Sequence, residues 1–136
     1  MRYLLDGGTL AAAVKGRLPV VLRLAQLSPR EVAMSVIGRM QVEIGLRAQP
    51  RAQARHGRLL REFSQSLHVI DFGDLESRQA ATVGAYLAAA GESIGALQLM
   101  LAAQAMTHRC TLVCDDIEPY RMVAGLDVEN WLDQNQ

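Results

Sequence analysis

The sequence predicts an α/β protein built around a central, mostly parallel sheet. Short apolar runs alternate with longer stretches of helical periodicity, which is the pattern of successive βα units. The chain has 136 residues, the length of one domain, and half of them are apolar, enough to form a core. We therefore expect a single α/β domain over residues 1–136.

Five short apolar runs are the predicted strands, because they are rich in residues that fit a pleated sheet and end at turn-forming residues. They lie at 3–5, 32–37, 68–72, 110–114 and 126–131. Ser28-Pro29-Arg30-Glu31 has the residues of a capping box. Since an apolar run follows it directly, we predict a turn into the second strand there.

The helices are expected between these strands, at 10–15, 18–27, 39–47, 51–67, 77–90 and 95–108. Pro50 separates the third helix from the fourth. The alanine-rich stretch from Ser77 to Ala90 is typical of a helix and ends at Gly91.

Composition excludes several classes of protein. Fourteen Lys and Arg balance fourteen Asp and Glu, so the chain lacks the overall field of an obligate nucleic-acid binder, although a local basic face is compatible with it. No apolar run approaches the ~20 residues that span a bilayer, and the apolar stretch at the N-terminus is too short for a signal peptide. Cys110 and Cys114 would lie ~13 Å apart in a strand, too far for a disulfide. We expect a cytoplasmic protein without a membrane partner.

Carboxylates follow two of the predicted strands. Asp6 comes after the first strand, and Asp115 and Asp116 come after the fourth. The carboxyl ends of parallel strands meet at one edge of a sheet, where sites form, so these residues suit a hard cation such as Mg²⁺. The alternative is that Asp is simply common in turns after strands. Since neighbouring strand residues face opposite ways, we expect only one of Asp115 and Asp116 to point into the site.

Several short segments, in this order and spacing, carry a likeness to a known family. They are Tyr3-Leu4-Leu5-Asp6, Ser35-Val36-Ile37, Glu43-Ile44-Gly45-Leu46, Gly91-Glu92-Ser93-Ile94-Gly95-Ala96-Leu97, Thr111-Leu112-Val113, Val123-Ala124-Gly125-Leu126 and Val128-Glu129-Asn130-Trp131. Over nearly its whole length the chain resembles the VapC toxins of the PIN-domain family, small metal-dependent ribonucleases. The resemblance implies a Rossmann-like three-layer α/β/α PIN domain, a homodimer, a VapB-type antitoxin as partner, and Mg or Mn as cofactor.

The acidic positions of that family are only partly kept. Where the family opens with Asp-Thr-Asn, this chain has Asp6-Gly7-Gly8, so the first carboxylate is present without its polar neighbours. Gln41 and Gln98 stand where the family has a glutamate and an aspartate. Each glutamine offers a carbonyl oxygen without a charge, and a Mg²⁺ site depends on anionic oxygens. The resemblance therefore implies weakened metal binding.

The late acidic positions also differ from the family pattern. Cys114-Asp115-Asp116 replaces the family's Thr-Asn or Thr-Asp, and Glu118-Pro119-Tyr120 replaces Arg-Glu-Phe. The resemblance assigns the surviving catalytic and metal-binding roles to Asp6 and Asp116, with Asp115 as the substitute.

Our leading hypothesis is a VapC-like protein of a toxin–antitoxin system with weak or lost nuclease activity. The alternative is an active endoribonuclease that cleaves structured RNA such as tRNA through Asp6 and Asp115 or Asp116. A phosphoacceptor receiver domain is disfavoured, because it needs a lysine after a late strand and Lys15 is the only lysine. Natural drift explains the several departures better than deliberate inactivation does.

Arginines are concentrated in the middle of the chain. Thirteen of the fourteen basic residues are Arg, and six of them lie between Arg39 and Arg61. Arg51, Arg55 and Arg58 have helical spacing along one face, which is compatible with a clamp for RNA phosphates. A solvated helix face is the alternative.

Overall fold

The computed structural model describes residues 1–132, so residues 133–136 of the expected domain lie outside the described part. Five strands form one sheet in the order β3-β2-β1-β4-β5, and every neighbouring pair is parallel. The strands are β1 (Tyr3–Leu5), β2 (Val32–Ser35), β3 (His68–Ile70), β4 (Thr111–Val113) and β5 (Val128–Glu129). The parallel sheet expected from the sequence is confirmed.

Six α-helices connect and cover the strands. They are α1 (Gly7–Val14), α2 (Leu18–Ala25), α3 (Val36–Arg47), α4 (Pro50–Ser66), α5 (Asp74–Ala89) and α6 (Ala96–Thr107). Two 3-10 turns, Pro29–Glu31 and Glu118–Tyr120, lie before β2 and after β4. No helix within residues 1–132 is both long and apolar enough to cross a bilayer.

Both faces of the sheet are covered, because alternate residues of each strand point to opposite sides. Leu4 and Leu112 pack in one cluster with Leu101 and other residues of α6. Leu5, the next residue along β1, packs in a second cluster with residues of α1 and α2. Met34 of β2 packs on this same side, in a third cluster with residues of α1 and α4. The expected three-layer α/β/α arrangement is confirmed.

The boundary between β2 and α3 differs from the prediction of a strand over 32–37. The hydroxyl of Ser35 accepts the backbone amide of Ile37 at 3.0 Å and so caps α3. Val36 and Ile37 are therefore helical in spite of their β-branched side chains. The predicted turn at Ser28–Glu31 is confirmed as a capping box on a 3-10 turn that leads into β2.

The starts of two other helices also differ from the predicted ones, for local reasons. The structure starts α1 at Gly7 rather than 10, because Asp6 caps it by accepting the amide of Thr9. α5 starts at Asp74 rather than 77, with acidic residues in the first turn that favour a helix N-terminus. β3 and β5 are shorter than predicted. Cys110 and Cys114 are buried and free, as expected.

Candidate acidic site and its flanking groove

The edge of the sheet where the strands end contains a cavity of about 370 Å³. Asp6 follows β1 directly, and Asp115 comes two residues after β4, so the parallel pairing of these strands brings both carboxylates to this edge. The structure brings together every acidic or substituted position predicted for the site. The cavity is lined by Asp6, Gln41, Gln98, Asp115 and Asp116, together with glycines of α1 and the side chain of Tyr120.

Asp6 is the most buried carboxylate of this cavity, with 6% of its surface exposed. Its Oδ1 accepts the backbone amide of Thr9 at 2.8 Å. Burial raises the pKa of Asp6 from 3.8 to about 6, the nearby negative charge of Asp115 adds to the increase, and the hydrogen bonds from Thr9 oppose it. The pKa of Asp6 therefore lies well above the usual range of an aspartate.

Asp115 lies directly over Gly8 in the first turn of α1. A methyl group added at position 8 would overlap the carboxylate of Asp115, so the absence of a side chain at Gly8 is what lets Asp115 come so close. Asp116 has a different role, because its Oδ1 accepts the backbone amide of Glu118 at 3.1 Å and caps the following turn. Asp115 is thus the carboxylate coupled to Asp6.

Asp115 and Asp116 both line the cavity, although β4 ends at Val113 and the alternation of strand residues stops before them. The charge of Asp115 acts on Asp6, whereas the carboxylate of Asp116 caps the following turn. The expectation that only one of the two points into the site therefore stays a prediction.

The two glutamines lie against glycines at helix starts. Oε1 of Gln41 lies 2.6 Å from where a methyl group on Gly7 would stand, and the side chain of Gln98 folds against Gly95. Glu43, two residues after Gln41, forms ion pairs with arginines on its own helix and does not line the cavity. No carboxylate from α3 or α6 lines the cavity in place of either glutamine.

The side chains of the cavity do not meet the needs of a divalent cation. Within residues 1–132 there is no group of three or more His, Cys, Asp or Glu side chains placed to hold a metal ion. The cavity has the carboxylates of Asp6, Asp115 and Asp116, whereas Gln41 and Gln98 bring no charge to offset the removal of water from Mg²⁺. These residues do not fit a tightly held cation.

Tyr120 was not singled out for the site from the sequence. It is 4% exposed and lines the cavity between α6 and the turn after β4. Burial raises the pKa of Tyr120, and the negative charge of Asp6 raises it further, so its hydroxyl stays neutral beside the carboxylates. The signal in the sequence was its place shortly after Asp115 and Asp116, at the end of the turn Glu118–Tyr120.

Gln104 was not predicted from the sequence either, and its side chain connects the elements that carry the site. Its side chain is fully buried; Oε1 accepts the hydroxyl of Ser35 at 2.5 Å. Its Nε2 donates to the backbone carbonyls of Ile70 at 3.0 Å and Asp71 at 3.1 Å. The amide thereby joins α6 to the ends of β2 and β3. A polar residue one turn beyond Leu101, on the apolar side of α6, was the signal in the sequence.

A larger groove of about 680 Å³ runs beside the acidic cavity and shares Gly7, Gly8 and Gln41 with it. Its walls come from α1, α3 and the first turns of α4. Two of the three predicted RNA-binding arginines line it, namely Arg51 and Arg55.

Arg58, the third of those arginines, does not line this groove. Its Nε lies 3.2 Å from a carboxylate oxygen of Glu62 on the same helix, and its side chain is 84% exposed. Lys15 and His56, neither of them predicted from the sequence to bind RNA, line the groove instead. The predicted helical stripe is therefore divided between a groove and a solvated face.

Replacing the buried acid should change the pH dependence of stability. The pKa of Asp6 is higher in the folded chain than in the unfolded chain. As the pH rises, the unfolded chain therefore loses the proton of Asp6 before the folded chain does. The free energy of unfolding falls as a result between about pH 4 and pH 6. Two pKa units correspond to at most about 3 kcal/mol. Asp6→Asn, which keeps an oxygen for the amide of Thr9, should raise the free energy of unfolding at pH 7 and remove this slope.

Urea unfolding of both proteins between pH 4 and pH 8, with EDTA present, measures this effect. Equal slopes in the two proteins would show that Asp6 titrates as an ordinary exposed aspartate.

Solved structures share the fold of this chain but little of its sequence. No family model matches the sequence, and no curated protein matches it. Among solved structures, the DNA-bound VapBC from Salmonella typhimurium is similar at 21% identity with a TM-score of 0.84, covering 96% of this chain and 98% of that chain. VapBC2 from Rickettsia felis bound to a promoter DNA fragment shows 24% identity and a TM-score of 0.83, covering 96% and 99%.

FitAcB from Neisseria gonorrhoeae is also similar, at 21% identity with a TM-score of 0.82, covering 95% of this chain and 97% of that one. In the VapBC complexes the chain aligns with the PIN-domain subunit. These likenesses confirm the PIN-domain fold expected from the sequence.

Proposed function

We propose, from the PIN-domain fold that the chain shares with these subunits, that it is a VapC-like protein of a toxin–antitoxin system with weak or lost nuclease activity. One observation carries the proposal. Gln41 and Gln98 face the same cavity as the buried Asp6, at the positions where the family has acids. Two of the acidic positions that the resemblance implies therefore carry an amide without a charge, beside the carboxylates of Asp6, Asp115 and Asp116.

The missing charges explain why activity should be low. In metal-dependent nucleases a cation activates water and stabilises the charge that develops on the phosphodiester. Asp6 and Asp116, with Asp115 beside them, would hold Mg or Mn only weakly, because the two amides of Gln41 and Gln98 contribute no charge. We therefore assign no hydrolytic step to these residues.

A VapB-type antitoxin is the proposed partner. The structural neighbours named VapBC support it. This chain also exposes apolar side chains at i, i+3 and i+4 on α2, where Leu18 is 66% and Leu22 is 58% exposed and Val21 lies between them. Such a stripe suits an amphipathic partner segment. We also propose, from the resemblance alone, that the protein is a homodimer in the cytoplasm.

An active nuclease is the second candidate. It is favoured by one observation, that Asp115 and Asp116 both line the cavity with Asp6. These three carboxylates would then cleave structured RNA such as tRNA, with Asp115 or Asp116 compensating for the lost acids.

Calorimetric titration with Mn²⁺ and Mg²⁺ separates the two candidates. We expect millimolar or weaker binding that Asp6→Ala leaves unchanged, and no metal-dependent RNA cleavage. Binding tighter than ~100 μM that Asp6→Ala removes would instead support the active nuclease. The melting temperature of Asp6→Ala, measured in EDTA, checks that the variant is folded.

A further inference from the structure

The acidic cavity contains negative charge that no positive side chain balances. Asp6, Asp115 and Asp116 line it, and no Lys, Arg or His is among the described residues of its wall. Within residues 1–132, none of these three carboxylates forms an ion pair. A small cationic ligand that entered the cavity would therefore meet its counter-charge there.

The hydroxyl of a buried tyrosine opens into the same cavity. Tyr120 is 4% exposed, and over the described part of the chain its hydroxyl makes no hydrogen bond and is not sealed from solvent. Burial raises the pKa of Tyr120, and the charges of Asp6, Asp115 and Asp116 raise it further, so the hydroxyl is neutral and close to all three. Because buried polar groups are normally hydrogen-bonded, this unpartnered hydroxyl indicates a ligand in the cavity.

The oxygens of the cavity suit an ammonium group better than a guanidinium group. Oδ1 of Asp6 already accepts the amide of Thr9. Oδ1 of Asp116 likewise accepts the amide of Glu118. A guanidinium binds a carboxylate best through both oxygens, whereas the three donors of a primary ammonium can reach single oxygens on separate side chains. An ammonium group also gives up its water more readily than Mg²⁺ does.

Apolar side chains complete the wall of the cavity. Leu97, Leu101 and Pro119 line it beside the carboxylates, and its volume of about 370 Å³ is within the range of small-molecule sites. The carbon chain of an alkylamine would pack against these three residues while its charged end lies at the carboxylates, as the stem and head of a lysine side chain do at a protein surface.

We propose that the acidic cavity binds a small alkyl diamine, with Asp6, Asp115 and the hydroxyl of Tyr120 accepting hydrogen bonds from its ammonium groups. Two positive charges suit a cavity that three carboxylates line. Gln41 and Gln98 offer their carbonyl oxygens to the same ligand. Such binding requires neither a metal ion nor nuclease activity, so it goes beyond the proposed function and does not depend on it.

The test is calorimetric titration with putrescine near neutral pH, at low salt and in EDTA. We expect saturable binding with a Kd of ~1 mM or tighter. Tyr120→Phe, which removes only the hydroxyl, should weaken it about threefold or more, and Asp115→Asn about tenfold or more. Tyr86→Phe and Asp127→Asn are the matched controls, because both residues are exposed outside the cavity, and they should leave affinity unchanged.

Butanediol and tetramethylammonium test which property of the ligand is recognised. Butanediol has the same chain without charge and should not bind, and tetramethylammonium has charge without N–H donors and should bind at least about tenfold more weakly. Binding of either compound as tight as that of putrescine would overturn the proposal. It would also be overturned by tighter binding of ethylguanidinium, by a Kd weaker than ~1 mM, or by equal affinities in the parent and both cavity variants.

EDTA separates this test from that of the proposed function. Diamine binding that depends on Tyr120 and Asp115 supports the cavity as an amine site whether or not RNA cleavage is found with metal. Its absence would overturn the amine site and leave the VapC-like assignment in place. Melting temperatures show that the variants are folded, and Asp115→Asn changes an exposed side chain, so it tests the site even if Tyr120→Phe is destabilised.

Discussion

Restoring the two missing acids, with Gln41→Glu and Gln98→Asp combined, is expected to raise the affinity for Mn²⁺ by about 100-fold or more. Both side chains already line the cavity with Asp6, so the change adds two negative charges and moves no backbone. The same variant should gain metal-dependent RNA cleavage, because the added carboxylates can hold a cation and orient water. Calorimetry with Mn²⁺ and an RNA cleavage assay measure the two effects.

A matched control adds the same charge elsewhere. Gln26→Glu with Gln65→Glu places two acids at exposed positions outside the acidic cavity and should leave metal affinity unchanged. A restored variant that binds Mn²⁺ no better than the parent would contradict the assignment of Gln41 and Gln98 to the lost acidic positions. A gain in binding that survives Asp6→Ala would also contradict it.

Gln104→Leu is expected to lower the free energy of unfolding by about 3–4 kcal/mol and the melting temperature by about 10 °C. The leucine fills most of the same volume but makes no hydrogen bonds. The hydroxyl of Ser35 and the carbonyls of Ile70 and Asp71 would then lose their partner behind the acidic cavity. Most of the decrease comes from leaving these buried polar groups without a hydrogen-bond partner, and the loss of the bonds themselves contributes less.

Urea unfolding measures this change, with Gln98→Leu as the control on the same helix. Gln98 is partly exposed to the cavity, so that control should stay within about 1 kcal/mol of the parent. If Gln104→Leu also stays within about 1 kcal/mol, the buried amide does not hold the ends of β2 and β3 to α6.

The sequence by itself determined the order of the elements and the parallel sheet. Apolar periodicity is a local property, and both the length of each run and its turn residues can be read from a short window. It also placed Asp6 and Asp115 at one edge, because the carboxyl ends of parallel strands must meet. The exact starts of α1 and α3 were missed, since they depend on whether Asp6 and Ser35 act as caps.

The tertiary structure alone decided which side chains act together. Asp115 lies over Gly8, more than a hundred residues away in the sequence, and no local pattern signals that contact. The groove likewise needs Lys15 from α1 and Arg55 from α4, and the fold excludes Arg58, which has the same helical spacing. Periodicity fixes the face of a helix on which a residue lies. What packs against that face is set by the arrangement of distant segments in the core.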